Sequence, residues 1–201
     1  MKRMPREKAQ DIIKYVFTCP DKDKMKSTTS ISLKIDLLKW AEANEVSSLS
    51  CIEMGIAHGY TTSLLARLFN RVIAVDNNPE NVSHVSSLNI ENVSVESRDL
   101  YSPDFLSSMA KYKKIDVAFI DAQHTEDAVI SDYRNAFDMG ARVFIFDDFG
   151  LDPAVHTAVS KIIQDNPGCR LHFIGLHPGT VIPITHHKTM RDWEGVILDL
   201  R

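Results

Sequence analysis

The sequence predicts an α/β fold, doubly wound, with a mostly parallel seven-stranded sheet and helices on both faces. From residue 49 onward, seven short apolar runs rich in Val, Ile and Phe alternate with amphipathic stretches. Short, continuously apolar runs are typical of strands buried on both faces. Strands that alternate with helices in this way favour a parallel sheet. The predicted strands are Leu49–Met54, Val72–Val75, Val93–Val95, Val117–Ile120, Val143–Phe146, Leu171–Ile174 and Val196–Leu200.

The stretches between these runs have the apolar spacing of helices. Five follow the first five strands, at Thr61–Phe69, Pro79–Leu88, Pro103–Met109, Thr125–Phe137 and Pro153–Gln164. Two more precede the sheet, at Arg6–Phe17 and Ile31–Asn44, joined by the polar link Cys19–Ser30.

We divide the chain into an N-terminal helical cap on the substrate side, residues 1–48, and a core, residues 49–201. A chain of 201 residues suffices for one buried core and is short for two. The excursion Leu176–Trp193, between the last two strands, contains Pro, His and Gly, and long excursions often serve as binding loops. From position alone, we expect this excursion and Lys26–Ser30 to close over a bound substrate.

The composition narrows the range of partners. A net charge of -4 leaves no basic surplus for a run of phosphates, which argues against nucleic acid. No apolar run approaches the roughly 20 residues that cross a bilayer, and the basic start Met1–Lys8 has no apolar stretch behind it, unlike a signal peptide. Three separated cysteines, Cys19, Cys51 and Cys169, favour a reducing cytoplasm over a disulfide or zinc framework. A homo-oligomer is compatible with all of this.

A glycine-containing turn follows the first predicted strand and opens a helix. Gly55 allows a sharp turn there, and Gly59 allows a ligand to approach the backbone closely. Glu53 would repel a pyrophosphate and favour a cationic cofactor without phosphate. Ala57 occupies the position of the middle glycine of a dinucleotide fingerprint, so G-x-G-x-x-G does not occur. The alternative is a purely structural turn, with glycines for tight packing.

The next two strands also end in polar residues. Asp76 closes the second strand about 20 residues beyond the glycines, where an acid hydrogen-bonds ribose hydroxyls in nucleotide-binding sheets. Ser97-Arg98-Asp99 closes the third. Each acid could instead be a helix N-cap or a loop residue.

The segment Glu-x-Gly-x-x-x-Gly-Tyr-Thr at residues 53–61 resembles the first motif of class I S-adenosylmethionine-dependent methyltransferases, particularly the catechol-type and macrolide-type O-methyltransferases. The resemblance implies S-adenosylmethionine as the cofactor. It also implies cofactor contacts by Glu53, Gly55, Ala57, Gly59, Tyr60, Thr61, Asp76, Asn77, Ser97, Arg98, Asp99 and Ala122.

Three acids follow the fourth and fifth strands. Asp121 comes after the fourth strand, and Asp147 and Asp148 come after the fifth. Adjacent parallel strands deliver their carboxyl ends to one crevice, and neither segment contains Lys or Arg. Crowded carboxylates are unfavourable unless a cation joins them, and Mg²⁺ suits oxygen ligands. As an alternative, these acids could cap the helices that follow.

Metal-dependent O-methyltransferases carry a similar set of acids after these two strands. The resemblance implies that Asp121, Asp147 and Asp148 are the metal ligands. It also implies that His124, three residues after Asp121, is the general base, so that Asp121 and His124 are the catalytic residues. The segment Asp-Ala-Gln-His replaces the Asn/Asp-Pro-Pro-aromatic segment that marks methylation of nucleobase amines in this family. The predicted reaction is therefore methyl transfer to a hydroxyl oxygen of a small molecule.

Two other functions compete with this prediction. A catalytically silent, methyltransferase-like binding module would have the same fold. A nicotinamide-dependent enzyme would need glycine in place of Ala57 and no acid at Glu53. The triplet Asp148-Phe149-Gly150 matches the magnesium-binding triplet of kinases, but no kinase catalytic loop accompanies it. Four histidines lack the helical spacing of a zinc site and are interpreted as loop residues: His172, His177, His186 and His187.

Overall fold

The computed structural model describes residues 5–19, 29–112, 114–176 and 193–201. Its helices are α1 (Arg6–Thr18), α2 (Ile31–Ala43), α3 (Tyr60–Leu68), α4 (Pro79–Ser87), α5 (Phe105–Met109), α6 (Glu126–Asp138) and α7 (Pro153–Asp165), with a 3₁₀ turn at Val46–Ser48. Its strands are β1 (Ser50–Met54), β2 (Arg71–Asp76), β3 (Val93–Ser97), β4 (Val117–Ile120), β5 (Val143–Phe146), β6 (Arg170–Leu176) and β7 (Trp193–Asp199).

The strands form one sheet in the order β3-β2-β1-β4-β5-β7-β6. Strands β1 to β5 are parallel, and β7 runs antiparallel to both β5 and β6. This confirms the predicted doubly wound, mostly parallel sheet. Strand β1 lies between β2 and β4, so the chain changes its winding direction there. Open α/β sheets bind ligands outside the carboxyl ends of the strands at such a point.

Successive side chains of a strand point to opposite faces of the sheet, so the hydrophobic core has one part on each face. Ile52 and Met54 of β1 pack in the core that α5, α6 and α7 cover. Cys51 points to the opposite face, where it packs with residues of α1, α2 and α3. Helix α4 lies on that same face, because its Val85 packs against Ala74 of β2. A central strand buried on both faces explains why its sequence is continuously apolar.

The helices of the N-terminal segment pack directly on the sheet. Ile12 of α1 and Leu33 of α2 are fully buried in the same core as Val117 of β4. The Tyr15 hydroxyl of α1 also donates a hydrogen bond to the Tyr60 carbonyl at 2.7 Å. The segment therefore supports the first turn of α3. The division at residue 48 stays a prediction.

Element boundaries differ from the predicted ones where pairing or turns decide them. Strands β6 and β7 are longer than predicted because they form an antiparallel ladder along most of their length. Helix α5 begins two residues late because the Phe105 amide donates to the Ser102 carbonyl at 3.0 Å in a preceding turn.

Several predictions fall on residues 20–28 and 177–192, which lie outside the described residues. These are the predicted closing segments, apart from their ends, and the loop histidines His177, His186 and His187. In the part of the chain that is described, no helix combines the length and the apolar character needed to cross a membrane.

Gly55 joins the ends of three strands. Its backbone has a φ of +87°, in the left-handed region that favours glycine. Its amide donates to the Val75 carbonyl of β2 at 3.0 Å, while the Asp121 amide after β4 donates to the Met54 carbonyl at 2.9 Å. A Cβ atom on Gly55 would lie 2.1 Å from the Asp121 carbonyl oxygen. The missing side chain therefore lets the loops after β1 and β4 touch through their backbones.

Replacement of Gly55 by Ala is expected to lower the free energy of unfolding by at least about 3 kcal/mol, because strain at a left-handed φ adds to a clash with rigid backbone. Urea unfolding measures the loss. Gly168→Ala is the matched control, since a Cβ there meets nothing within 4 Å and Gly168 has no positive φ. An equal, small effect of both substitutions would contradict the proposed contact.

Candidate active site

A cleft opens at the carboxyl ends of β1 to β4. Most of the predicted cofactor residues line it, together with the predicted catalytic residue Asp121: Glu53, Gly55, Ala57, Tyr60, Thr61, Asp76, Asn77, Arg98 and Ala122. Gly59, Ser97 and Asp99 are not among the lining residues. Thr29, from the segment Lys26–Ser30 that was expected to close over the substrate, also lines the cleft. Lining residues that the sequence interpretation missed are Ile56, His58, Asn81, Leu100, Tyr101 and Gln123.

The glycine-containing loop holds two residues in left-handed conformations beside the cleft. Ala57 has a φ of +41° although it carries a side chain, and strained backbone of this kind is common at ligand sites. Gly59 has a φ of +74° at the start of α3, and a Cβ there would lie 2.8 Å from Val85 of α4. Packing of α3 against α4 thus accounts for Gly59, and the ligand approach expected of it stays a prediction.

Asp76 holds this loop in place. Its Oδ2 accepts hydrogen bonds from the Ile56 amide and from Asn81 Nδ2, both at 3.1 Å, and its Oδ1 accepts one from the Asn78 amide at 2.8 Å. Asn78, not Asp76, is the N-cap of α4. Asp76 is therefore no helix cap. Each oxygen of its carboxylate can accept further hydrogen bonds from a ligand.

The loop after β3 turns its apolar side chains toward the cleft. Asp99 Oδ1 accepts a hydrogen bond from the Tyr101 amide at 3.0 Å, which bends the chain directly after Arg98. Leu100 and Tyr101 then line the cleft beside Arg98. An apolar pair directly after a strand end was the available signal for these two residues. Ser97 and Asp99 shape the loop and do not line the cleft.

Glu53 is a buried acid without compensation. Its side chain lines the cleft but is only 1% exposed, and neither carboxylate oxygen has a hydrogen-bond partner among the described residues. Burial raises the pKa of Glu53 well above its ordinary value. The nearby Thr62 hydroxyl opposes this shift without forming a hydrogen bond of regular geometry, and the charges of Asp121 and Asp76 add to it. A buried carboxylate without a partner is costly, so this position favours a cationic ligand.

Asp121, His124 and Asp148 form a cluster next to the cleft. His124 Nε2 lies 3.4 Å from Asp121 Oδ1 and 3.3 Å from Asp148 Oδ2. One ligand atom from each of the three residues lies within 4.8 Å of the other two. Asp148 has a left-handed φ of +54°. The structure thus brings Asp121 and Asp148 together as predicted, and it places the predicted base between them.

Asp147 lies deeper and is held by the protein itself. It is 5% exposed, its Oδ1 accepts a hydrogen bond from the Asp148 amide at 2.9 Å, and its Oδ2 accepts one from the Thr29 hydroxyl at 3.0 Å. The Thr29 hydroxyl also lies 3.0 Å from that of Thr61. Asp147 is not part of the three-residue cluster. Thr29 lies in the segment Lys26–Ser30 that the sequence placed near the substrate, but its hydrogen bond to Asp147 was not predicted.

None of the three acids after β4 and β5 is a helix cap. The N-cap of α6 is Thr125, whose hydroxyl accepts a hydrogen bond from the Ala128 amide. The N-cap of α7 is Asp152, which accepts hydrogen bonds from Ala154 and Val155. The structure excludes the cap interpretation of Asp121, Asp147 and Asp148.

The acids after β4 and β5 are buried and close together, and this shifts the pKa values of the cluster. Burial raises the pKa of Asp121 and that of Asp147, and burial together with the charge of Asp121 raises the pKa of Asp148 to about 6. The pKa of His124 is also raised, mainly by its hydrogen bond with Asp121, although burial acts in the opposite direction. In this arrangement, protonated His124 is the cation that the two carboxylates stabilise.

Asp132 of α6 is another buried acid, and it lies behind the cleft wall. It is fully buried, its Oδ2 accepts a hydrogen bond from the Tyr101 hydroxyl at 3.4 Å, and its Oδ1 has no partner in the described ranges. Burial raises the pKa of Asp132 to about 7.

Part of the chain matches the model of a known family. Residues 52–149 match the model of a family described as a methyltransferase domain. Among curated proteins, none matches the chain significantly.

Solved structures share the fold. An O-methyltransferase from Bacillus cereus, in complex with the demethylated cofactor, has a TM-score of 0.63 at 16% identity, over 98% of this chain and 92% of that one. An S-adenosylmethionine-dependent O-methyltransferase from Thermotoga maritima has a TM-score of 0.59 at 16% identity, over 94% and 70%. An rRNA methylase from Streptococcus thermophilus has a TM-score of 0.50 at 14% identity, over 78% and 90%.

The sheet order and the cleft at its switch point agree with the match of residues 52–149 to a methyltransferase domain, and the fold is the Rossmann-like fold of the methyltransferases among these solved structures. In fold, the chain is similar to O-methyltransferases and to an rRNA methylase.

Asp132→Asn is expected to stabilise the protein more at pH 8 than at pH 5. The folded pKa of Asp132, about 7, lies above its ordinary value of 3.8, so the wild-type protein releases this proton on unfolding between the two values. Wild-type stability therefore falls as pH rises toward 7, and the variant gains about 2 kcal/mol relative to it over this range. Urea unfolding at pH 5, 6, 7 and 8 measures the difference.

Asp138→Asn is the matched control, because Asp138 lies on the same helix and is exposed. A constant difference between wild type and Asp132→Asn at all four pH values would show that the Asp132 carboxyl does not titrate as its burial requires.

Proposed function

We propose that the protein transfers the methyl group of S-adenosylmethionine to a hydroxyl oxygen of a small molecule, with a divalent metal held by Asp121 and Asp148 and with His124 as the base. The observation that carries the proposal is Glu53, a buried carboxylate without a partner that opens onto the cleft. The cluster adjoins the cleft, because Asp121 lines the cleft and is also a member of the cluster.

The cleft suits a cationic nucleoside and opposes a phosphate-bearing one. S-adenosylmethionine carries a sulfonium and an ammonium group, either of which would compensate Glu53. Asp76 and Asp121 line the same cleft, so a pyrophosphate would meet three acids. This argues against a nicotinamide cofactor. When bound, S-adenosylmethionine supplies a methyl group on a positively charged sulfur.

In this proposal, different residues contact different parts of the cofactor. Glu53 faces the charged end of the ligand, and Asp76 offers its carboxylate to the ribose while it fixes the loop at Ile56. Leu100 and Tyr101 provide an apolar wall at the far end. Holding a donor and an acceptor in line lowers the barrier by avoiding the entropy loss of their encounter.

The donor set of the cluster fits a divalent cation. The carboxylates of Asp121 and Asp148 converge in a cluster where neighbouring acids are unfavourable without a cation. Carboxylate oxygens favour Mg²⁺. Such a metal would orient a hydroxyl and make its proton easier to remove.

Two residues near the metal have other roles in this proposal. Asp147 is the third ligand by family resemblance, but its bonds to Thr29 and to the Asp148 amide suit a residue that orients Asp148. His124 is proposed as the base because its side chain is 37% exposed and lies beside the Asp121 carboxylate. A cation bound to Asp121 and Asp148 would disfavour protonation of the imidazole and leave it able to accept a proton.

S-adenosylmethionine and its demethylated product are expected to raise the melting temperature, whereas NAD and NADP are not. A ligand that binds only the native state adds about 2.7 kcal/mol at a hundredfold excess over its Kd. Glu53→Gln should weaken cofactor binding by roughly 10- to 100-fold, because it removes the charge that compensates the ligand. The same change should raise the stability of the free protein, because it removes a buried charge.

The opposite signs of these two effects distinguish a ligand-binding acid from a structural one. Glu91→Gln, at an exposed position, is the control for both measurements. Stabilisation by NAD, with no response to S-adenosylmethionine, would overturn the proposed cofactor.

His124→Ala is expected to reduce turnover by about 10²- to 10⁴-fold with little change in cofactor affinity, as befits a positioned base. Turnover is measured as demethylated cofactor formed with a hydroxyl acceptor found by screening. His172→Ala, at an exposed position on β6, is the control. Full activity in excess EDTA would remove the metal from the proposal. Cofactor binding without turnover on any hydroxyl acceptor would favour the silent binding module.

A further inference from the structure

Helix α6 supports the cleft wall through two polar side chains on one face. Asn135 Nδ2 donates a hydrogen bond to the Leu100 carbonyl at 3.0 Å. One turn earlier, Asp132 Oδ2 accepts the hydrogen bond of the Tyr101 hydroxyl at 3.4 Å. Both partners, Leu100 and Tyr101, line the cleft, whereas the two helix residues do not.

The fold alone does not account for an acid at this position. Asp132 is fully buried and packed between α6 and the loop after β3, and its Oδ1 lacks a partner among the described residues. An apolar residue of similar size would avoid the cost of burying this carboxyl group. The one hydrogen bond that the structure gives Asp132 leads to the hydroxyl of a cleft residue.

The Tyr101 side chain has two different ends. Its hydroxyl donates to Asp132, which does not line the cleft, and also interacts with the Gln123 backbone, so the apolar ring is the part left to contact a ligand. An aromatic ring beside a nucleoside increases binding affinity by packing or stacking on it, and the size of this effect depends on the orientation of the ring. A fixed acceptor behind the hydroxyl limits rotation of the ring into the cleft or out of it.

We propose that Asp132 is a positioning residue for the nucleoside end of the cofactor, acting through the Tyr101 hydroxyl. This inference rests on the proposed function, because it assumes that S-adenosylmethionine occupies the cleft. Asp132 makes no contact with the ligand. It holds the Tyr101 ring against the wall formed by the loops after β3 and β4, so that the ring meets the ligand already oriented.

The test is calorimetric binding of the demethylated cofactor, and separately of adenosine, to the folded protein. Tyr101→Phe and Asp132→Leu are each expected to raise the Kd for both ligands by about 5- to 20-fold, which corresponds to the loss of one hydrogen bond. Asp132→Asn keeps an acceptor oxygen and should restore affinity to within about 2-fold of wild type. The double variant Tyr101→Phe, Asp132→Leu should bind no more weakly than the weaker single variant, because both changes remove one interaction.

Tyr133→Phe is the matched control, since it removes a tyrosine hydroxyl from the same helix outside the cleft, where it contacts Asn166. A purely structural role would change the melting temperature and leave the Kd for adenosine unaltered. Where Asp132→Leu fails to fold, Tyr101→Phe removes the same hydrogen bond from the other side.

The outcomes separate the two hypotheses. If the wild-type protein binds neither the cofactor product nor adenosine, the proposed function fails. If the wild type binds and Tyr101→Phe keeps its affinity within about 2-fold, or if the two substitutions are additive, the positioning role of Asp132 is overturned.

Discussion

The concentration of carboxylates at one edge of the sheet is the constraint on which the site depends. Parallel strands deliver their carboxyl ends to the same edge, and four of them end in acids here. Burial makes each charge costly, and the neighbouring charges add to that cost, as the raised pKa values of Glu53 and Asp147 indicate. Stability alone would favour apolar or amide residues at these places. A cationic ligand would offset this cost, so the arrangement suits a protein that binds cationic ligands.

The acids differ in how many hydrogen bonds they accept from the protein itself. Asp76 accepts three hydrogen bonds, one from the loop after β1 and two from Asn78 and Asn81, and Asp147 accepts two, one of them from the segment before α2. Glu53, in contrast, has no such partner within the described ranges. Acids of the first kind shape the site. An acid of the second kind is left for a ligand, which is why Glu53 supports the cofactor proposal more strongly than Asp76 does.

Periodicity was sufficient to predict the fold, and strand ends were sufficient to predict much of the cleft. A buried parallel strand has a continuous apolar signature, so the position of each strand end, and of the polar residue after it, follows from the sequence. Asp121 and Asp148 could be placed together on this basis. Loop conformation has no comparable signature. The inward turn of Tyr101, the place of His124 between two acids and the contact of Thr29 with Asp147 depend on hydrogen bonds that no spacing encodes.

Asp121 connects the two halves of the site through different parts of one residue. Its carbonyl oxygen touches the backbone of Gly55 in the glycine-containing loop, and its carboxylate faces His124 in the cluster. A contact between two backbones cannot relax by a change of rotamer, unlike a contact between flexible side chains. The distance between the glycine-containing loop and the acidic cluster is therefore set by the packing of β1 against β4. Transfer between a bound donor and a bound acceptor is sensitive to displacements of about 1 Å. A rigid backbone junction at the switch point of the sheet is a suitable way to hold that separation constant.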